Sequence, residues 1–327
     1  MYNKRNSIPR VISFAILLGF SQNVFTQEIP FFTHYAFNKM LYNPAVVGAG
    51  NQINFATLSQ YQYLNFRDQT PAFFGLTPNK NLGVKTNLIS ISAPLTQYGG
   101  IGVTYLNDRF GFEFRNHVKI DVAARFPIRQ GASFAIGTEL NFLEKGIDGS
   151  KLFPLSPDPS VPTEKESQSH PSFGAGIYYT DSMIKSPRFK DLWVSVSSLN
   201  LNSNTYTTNN DRVFSKTERE IHAMAGVSII NFLGSPSLKF HPSIKGTFAG
   251  YNALDLTAIT EFNNKFTAGL AYRTTHDAWS ILLGFNGFKN KFKNLRIGYS
   301  YAFNYQFHII DSGTHELRLN FNMNSFY

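Results

Sequence analysis

The sequence predicts an all-β protein: an antiparallel transmembrane β-barrel of about 14 strands, preceded by an N-terminal segment that is periplasmic or plugs the lumen. Three observations support this fold class. Aromatic residues make up 15% of the 327 residues, whereas charged residues make up only 16%, less than a soluble surface usually carries. Many short segments alternate apolar and polar residues. The connections between them are alternately long and short, as in outer-membrane barrels.

The first 26 residues have the features of a secretory signal peptide. Three basic residues precede an apolar run from Val11 to Phe20, and Val24 and Thr26 fit the positions before a cleavage site at Gln27. The alternative, a membrane helix, is disfavoured because ten apolar residues are too short to span a bilayer of about 30 Å. Cleavage would leave 27 basic and 21 acidic residues, a net charge of +6.

Charge and cysteine content exclude several classes of protein. The basic residues are scattered, so the sequence predicts no nucleic-acid partner, while a modest positive charge suits contact with outer-membrane lipid headgroups. The chain contains no Cys, which excludes disulfides, thiolate metal sites and a lipid-anchored N-terminus. We predict no cofactor.

Residues 27–50 are apolar but follow neither a helical nor a strand period. Because they precede the first strand, we expect them to fold into the lower lumen or seal its mouth; a short structural element in the periplasm is the alternative. Asn43 and Pro44 predict a sharp bend, and Gly48 permits a chain reversal.

Residues 51–327 are predicted to form the barrel, because their alternating segments have one apolar and one polar face. In the last of them, Leu317, Leu319 and Phe321 alternate with polar residues. Alternation also fits a soluble β-sandwich, so strand number and connectivity decide. We predict strands centred near Phe55, Leu88, Val103, Val122, Ile136, Ile177, Val196, Ala225, Ile244, Leu256, Ala268, Leu283, Ile297 and Leu319.

The connections predict which end of the barrel faces the cell surface. With both termini in the periplasm, the outward connections include 61–81, 143–172, 200–219 and 303–314, and these are long. Most inward ones are short, such as 94–99, 127–131 and 263–264. This is the outer-membrane pattern. A lumen of this width must hold water, a plug or a partner, because side chains fill a ring of only about eight strands.

Several blocks also carry a family resemblance. "FFTHYAFNKMLYNPAVVGAG", "SQYQYLNFRDQTPAFFGL", "NLRIGYSYAFNYQF" and "SGTHELRLNFN" resemble, in order and spacing, the conserved blocks of the PorP/SprF family of type IX secretion system membrane proteins. The resemblance implies an outer-membrane barrel of Bacteroidota-type cells that works with the secretion and gliding-motility apparatus. Its implied partners are secreted, adhesin-like surface proteins and periplasmic or outer-membrane secretion components.

The candidate contacts with a plug or partner come from these blocks. Tyr35, Phe37 and Tyr42 are predicted packing anchors. Gly298 is predicted to face the lumen and leave room for a plug, while for Tyr299 and Tyr301 an aromatic girdle at the membrane interface is favoured over partner contact. The full set is Phe31, Tyr35, Phe37, Asn38, Tyr42, Asn43, Pro44, Gly48, Gly298, Tyr299, Tyr301, Gly313, His315 and Glu316.

Catalysis and metal binding are disfavoured. The stretch "FHIIDSGTHE" brings His308, Asp311 and Ser312 close along the chain, but a triad is defined by geometry and no nucleophile elbow accompanies it. We predict a turn there instead, with Glu316 paired to Arg318 or Arg296 in the lumen. Two functions stay open: an anchor or assembly partner for secreted surface proteins, and a channel for a small hydrophobic solute with an N-terminal hatch.

Overall fold

The computed structural model describes residues 29–50, 52–62, 83–152, 162–209, 211–249, 252–275, 278–304 and 313–324. Within these ranges, fourteen antiparallel strands close into one barrel whose first strand pairs with its last. Closure satisfies the backbone N–H and C=O groups that lipid cannot bind. The predicted all-β fold, with its 14-stranded antiparallel barrel, is confirmed.

Sixteen strands are numbered in chain order, and each predicted strand centre lies in a barrel strand. The barrel strands are β1 Gln52–Gln62, β2 Val84–Thr96, β3 Gly99–Phe110, β4 Glu113–Arg129, β5 Ala132–Asp148, β6 Lys165–Asp181, β7 Phe189–Leu199, β10 Glu220–Ile230, β11 Leu238–Phe248, β12 Asn252–Phe262, β13 Phe266–Arg273, β14 Ala278–Phe285, β15 Leu295–Asn304 and β16 Thr314–Asn324. Two more strands, β8 Thr205–Thr207 and β9 Val213–Lys216, form a separate hairpin.

The described helices are all short 3₁₀ turns. They comprise Tyr35–Phe37, Lys39–Leu41, Pro44–Val46, Gly149–Lys151, Phe232–Gly234 and Asn290–Phe292. None of the helices in the described residues is long and apolar enough to cross a membrane.

Alternating residues of each strand face lipid and lumen. On β4, Val118, Ile120 and Val122 are exposed, whereas Lys119 and Asp121 between them are almost completely buried. A lipid environment explains this pattern, because the exposed side chains are apolar and the buried ones are charged. The lumen is therefore the polar interior of the barrel.

The two ends of the barrel differ in their connections. At the short-connection end, β12 and β13 are joined through Asn263 and Asn264, which both have positive φ angles, a conformation that Asn tolerates better than most residues. At the long-connection end, β1 ends at Gln62 and β2 begins at Val84, β5 ends at Asp148 and β6 begins at Lys165, β7 ends at Leu199 and β10 begins at Glu220, and β15 ends at Asn304 and β16 begins at Thr314. Strand β1 begins, and β16 ends, at the short-connection end.

One predicted connection is partly wrong. Residues 143–172 were expected to form an outward loop, but β5 continues to Asp148 and β6 already begins at Lys165, paired along their full lengths. Above the lipid, the outer face of a strand need not be apolar, so the alternation that identifies a membrane strand disappears. The predicted connection 200–219 likewise contains the β8–β9 hairpin.

The height of the barrel wall varies around the ring. Strands β4, β5 and β6, which we call the tall wall, have 17 residues each. Strands β13 and β14, the short wall, have 8 residues each. A tilted strand needs about 9–11 residues to cross a bilayer. The tall wall therefore extends beyond the membrane, and the short wall does not.

Some predictions fall outside the described residues. The signal peptide at residues 1–26, the tight turn that the sequence predicts at His276 and Asp277, and the residues His308, Asp311 and Ser312 all do so. So do Pro154, Pro157 and Pro159 of the predicted outward loop.

Candidate functional site

Residues 29–50, here called the inner segment, lie inside the ring of strands. Near its start, the backbone oxygen of Phe31 accepts a hydrogen bond of 2.8 Å from Gln60, close to the long-connection end of β1. Near its end, Gly48 lies against Gly100 of β3, at the short-connection end. The segment therefore passes through the lumen from one end to the other before β1 begins. Its role as a plug stays a prediction.

The direction of the inner segment determines at which end of the barrel its described start lies. Both were expected in the periplasm, at the short-connection end. Asn324, the last described residue, pairs with Gln52 at that end. Pro30, by contrast, lines a cavity together with Phe110 and Glu113, which flank a turn at the long-connection end. The N-terminus itself lies outside the described residues.

Glu316 on β16 is the main polar contact for the start of the inner segment. Its carboxylate accepts bonds of 2.9 Å from the backbone N–H groups of Thr33 and His34, one of 2.5 Å from His34 Nδ1, and one of 3.2 Å from Gln60. Glu316 is 1% exposed. Four donors around one buried carboxylate fix the segment at this point.

The predicted pairing of Glu316 with Arg318 or Arg296 is wrong. Glu316 pairs with His34, and the Arg318 guanidinium instead lies 3.7 Å from the centre of the Phe37 ring and donates to Asn320. Residues 316 and 318 point to the same face of β16, where the inner segment lies between potential partners. A prediction based on strand neighbours alone could not include that segment.

Asn43 joins the inner segment to β6 and β7. Its side-chain amide donates to the Ile177 carbonyl at 2.9 Å, to Ser195 Oγ at 2.7 Å and to the Val196 carbonyl at 3.1 Å. Its oxygen accepts from Ala45 N–H and so caps the turn that begins at Pro44. Asn43 is fully buried. The predicted bend at Asn43 and Pro44 thus also serves as a contact with the wall.

Glycines of the tall wall let the backbone of the inner segment approach closely. A Cβ atom at Gly137 of β5 would lie 2.4 Å from Ala45 N, and one at Gly176 of β6 would lie 2.1 Å from Asn43 Oδ1. Any larger residue would displace the segment. Lys119 of β4 adds a bond of 3.0 Å from Nζ to the Leu41 carbonyl.

Lys245 of β11 lies under three aromatic rings of the inner segment. Its Nζ is 4.2 Å from the Tyr42 ring centre, 5.1 Å from that of Phe31 and 5.3 Å from that of Tyr35, and it pairs with Asp255 at 3.0 Å. Such cation–π contacts stabilise a buried ammonium group. Two of the three predicted packing anchors, Tyr35 and Tyr42, therefore surround a charged residue of the wall.

The two buried tyrosines titrate abnormally. Burial raises the pKa of Tyr35 to about 12, against a smaller lowering by its hydrogen bond to Ser243. Burial also raises the pKa of Tyr42 well above its usual value. Removal from water disfavours the phenolate form, so both hydroxyls stay protonated at physiological pH.

The predicted residues on and beside β15 and β16 divide into two groups. Gly298 faces the lumen, where a Cβ atom would lie 2.8 Å from Arg318 Nε and 3.1 Å from His34 Nε2. Tyr299 is 41% exposed on the lipid side, and its hydroxyl lies 2.8 Å from His315 Nδ1. The ring of Tyr301 is tilted by 55° relative to that of His315, with the ring centres 5.0 Å apart, and it covers Gly313. These tyrosines fit the aromatic girdle better than a contact with the inner segment.

Phe37 and Asn38 make the remaining contacts of the predicted set. Phe37 packs against a cluster of Ile259, Ala271 and Leu282, two of which belong to the short wall. Asn38 Nδ2 is buried and has no hydrogen-bond partner within the described residues. The short wall thus contacts the inner segment through this apolar packing and through two polar residues: the Arg273 guanidinium lies 4.4 Å from the centre of the Phe31 ring, and Ser280 Oγ lies 3.5 Å from Thr33 Oγ1.

A cavity of about 300 Å³ lies between the start of the inner segment and the long-connection end. Phe31 and Thr33 border it from the inner segment, and Asp108, Arg115 and Arg273 are among the wall residues that line it. Its lining mixes apolar with polar residues and includes the charged residues Asp108, Glu113, Arg115 and Arg273.

Sequence reasoning missed three contacts with the inner segment: Lys119, Lys245 and Ser197, whose hydroxyl bonds the Tyr42 carbonyl at 2.5 Å. For the two lysines, the sequence did contain a signal: a charged side chain at a lumen-facing strand position needs a partner inside the barrel. Among the described residues, no group of three His, Asp or Glu side chains could hold a metal ion.

Together, the closed ring, its lipid-facing apolar band and its polar, occupied lumen define an integral membrane β-barrel of the outer-membrane kind. The family model of the type IX secretion system membrane protein PorP/SprF matches residues 24–321. The chain therefore belongs to the PorP/SprF family, as its sequence blocks predicted. Neither the family nor the fold indicates a catalytic activity.

Solved structures of similar fold are barrel transporters and channels. The toluene transporter TbuX of Ralstonia pickettii has a TM-score of 0.52 at 10% identity, with 87% of this chain and 92% of TbuX covered. The CymD monoaromatic hydrocarbon channel has a TM-score of 0.50 at 10% identity, covering 89% and 93%. No curated protein matches the sequence. At such low identity the likeness establishes the fold alone.

Proposed function

We propose that this PorP/SprF protein is an outer-membrane anchor or assembly partner for secreted, adhesin-like surface proteins of the type IX secretion and gliding apparatus. The main support for the proposal is that the inner segment occupies the lumen, where it makes buried polar contacts with β16, β6, β7 and β4. A lumen occupied in this way suits a closed platform better than an open pore.

The proposed orientation places the long-connection end at the cell surface and the C-terminus in the periplasm. Long outer loops and short periplasmic turns are the rule for such barrels. The tall wall then rises on the outside and carries the β8–β9 hairpin on its inner face, where Tyr206 donates to the Leu143 carbonyl at 3.1 Å and Gln168 bonds Thr207. We propose that the secreted partner binds to this raised surface and that periplasmic components bind at the short-connection end.

The alternative is a channel for a small hydrophobic solute with the inner segment as a hatch. Its support is the fold shared with TbuX, described as a toluene transporter, and CymD, described as a monoaromatic hydrocarbon channel. Ligand sites for apolar molecules are lined mainly by apolar side chains. The lumen cavity has charged residues in its lining, among them Asp108, Arg115 and Arg273, and so differs from such an apolar site. We therefore favour the anchor.

The test is the surface proteome of cells that lack the gene, compared with cells complemented by the wild type. An anchor predicts that specific secreted proteins leave the surface and accumulate in the medium or periplasm, and that a photo-crosslinker placed at Ser167 captures the same proteins. An unchanged surface proteome would exclude the anchor. Liposome swelling with small solutes tests the channel, and clear flux through the intact protein would favour it.

A further inference from the structure

The lipid-facing wall has a groove near the short-connection end, centred on the short wall. It has a volume of about 520 Å³ and is bordered by strands β11 to β14. Its floor is low because small residues occupy neighbouring lipid-facing positions: Thr260 of β12 pairs directly with Ala268 of β13, and Ala258 lies two residues along β12. Phe240 and Leu283 stand on either side of that row.

An aromatic row marks the lower end of the groove. Phe262, Phe266 and Phe285 are cross-strand neighbours on β12, β13 and β14, and the rings of Phe266 and Phe285 lie 5.0 Å apart. Aromatic girdles of this kind lie at the level of the lipid headgroups. The groove therefore runs from the headgroup level into the hydrocarbon of one leaflet.

Beyond the aromatic row lie two adjoining connections that are rich in lysine. Residues 263–265 contain Lys265, and residues 286–294 contain Lys289, Lys291 and Lys293, with no acidic residue in either connection. The Asn286 N–H donates to the Lys265 carbonyl at 2.6 Å, which joins the two connections. Four lysines thus belong to the two connections next to the lower end of the groove.

We propose that this groove and its lysines form a binding site for an anionic phospholipid of the leaflet next to the short-connection end. One acyl chain would occupy the groove over Ala258 and Ala268, and the phosphate would contact Lys265 and the three lysines of residues 286–294. The apolar groove matches an acyl chain, and the lysines next to it match a phosphate group. The site therefore fits both parts of a phospholipid. The site does not depend on the anchor function.

The experiment is native mass spectrometry of the detergent-purified barrel, titrated with phosphatidylglycerol or phosphatidylcholine. The wild type should retain one phosphatidylglycerol molecule in preference to phosphatidylcholine. Changing Lys265, Lys289, Lys291 and Lys293 to Gln should reduce that preference by roughly tenfold or more, because each lysine near a membrane surface contributes to binding anionic lipid. Ala268→Trp fills the groove and should reduce retention of both lipids.

Two matched variants serve as controls. Lys185→Gln removes a lysine from another short connection, and Ala124→Trp adds the same bulk to a lipid-facing position on β4; neither should change lipid retention. Heat-dependent migration on gels verifies that each barrel is folded. An unchanged preference in the quadruple lysine variant, or equal effects of Ala268→Trp and Ala124→Trp, would overturn the proposal.

Discussion

The tall wall and the short wall are built from the same kind of strand but meet different surroundings. The tall wall has 17-residue strands, of which roughly six to eight residues exceed what a bilayer needs. Its upper outer face carries Ser167 and Ser169, whereas Phe173, lower on the same face, is exposed and apolar. The short wall ends with the membrane and carries the lipid groove. Under the two proposals above, one ring would provide separate surfaces for protein partners and for lipid.

The two walls also hold the inner segment differently. The tall wall does so by hydrogen bonds and close backbone approach, through Lys119, Gly137 and Gly176. The short wall contributes the apolar contact of Ala271 and Leu282 with Phe37, and Arg273 lies over the Phe31 ring. Polar contacts specify a position, whereas apolar contacts tolerate small shifts. The tall wall, together with Glu316 of β16, therefore specifies the position of the inner segment more strictly than the short wall does.

Removing the raised part of the tall wall is expected to have the largest effect. Replacing residues 146–167 by Asn-Gly joins Lys145 to Gln168, which are directly paired, so the barrel should still close. We expect complete loss of partner retention at the surface, measured by surface proteomics. Asn264→Gly, in a turn of the short wall with positive φ, is the matched control. Partner retention by the shortened protein would contradict the assignment of this surface.

A bulky residue in the tall wall tests the close backbone approach. Gly137→Val places side-chain atoms where Ala45 N now lies, and overpacking of this kind costs about 3 kcal/mol at its upper range. We expect a lower urea midpoint and a changed environment of Trp193, which Lys39 covers at 4.2 Å. Gly50→Ala is the control, because its nearest neighbour would be 3.9 Å away. Equal midpoints for the two variants would argue against the contact.

Removing a polar contact should have a smaller effect. Asn43→Ala deletes the two N–H donors that three oxygens of the wall share, and a turn cap, with an expected loss of about 2 kcal/mol in the free energy of unfolding. Leu282→Met, on the short-wall side where it packs against Phe37, should cost less than about 1.5 kcal/mol because it conserves apolar volume. A larger loss for Leu282→Met than for Asn43→Ala, measured by urea unfolding, would reverse the comparison.

The smallest expected effect is spectroscopic. Because burial raises the pKa of Tyr35 to about 12, its contribution to stability is complete below pH 10 and is lost as the pH rises toward 12. Absorbance at alkaline pH should show a late-titrating tyrosine that Tyr35→Phe removes. Tyr299→Phe, which changes an exposed tyrosine, should leave that late signal in place. A late signal of unchanged size in Tyr35→Phe would contradict the burial of Tyr35.

The sequence predicted the barrel well because lipid imposes a simple rule. Exposed positions such as Val118 and Leu317 must be apolar and alternate with lumen residues, so the number of strands could be recognised. The family was recognised separately, from the resemblance of its sequence blocks. The upper parts of β5 and β6 escaped prediction because that rule stops at the membrane surface. The partner of Glu316 escaped prediction because it depends on where the inner segment folds, and His34 lies more than 280 positions away along the chain.

The central claim, that the inner segment closes the barrel, is tested most directly by the conductance of single barrels in planar lipid bilayers. The account predicts that the wild type conducts little and that deletion of residues 27–50 opens a large, stable pore. Equal conductance of the wild type and the deletion variant would contradict it.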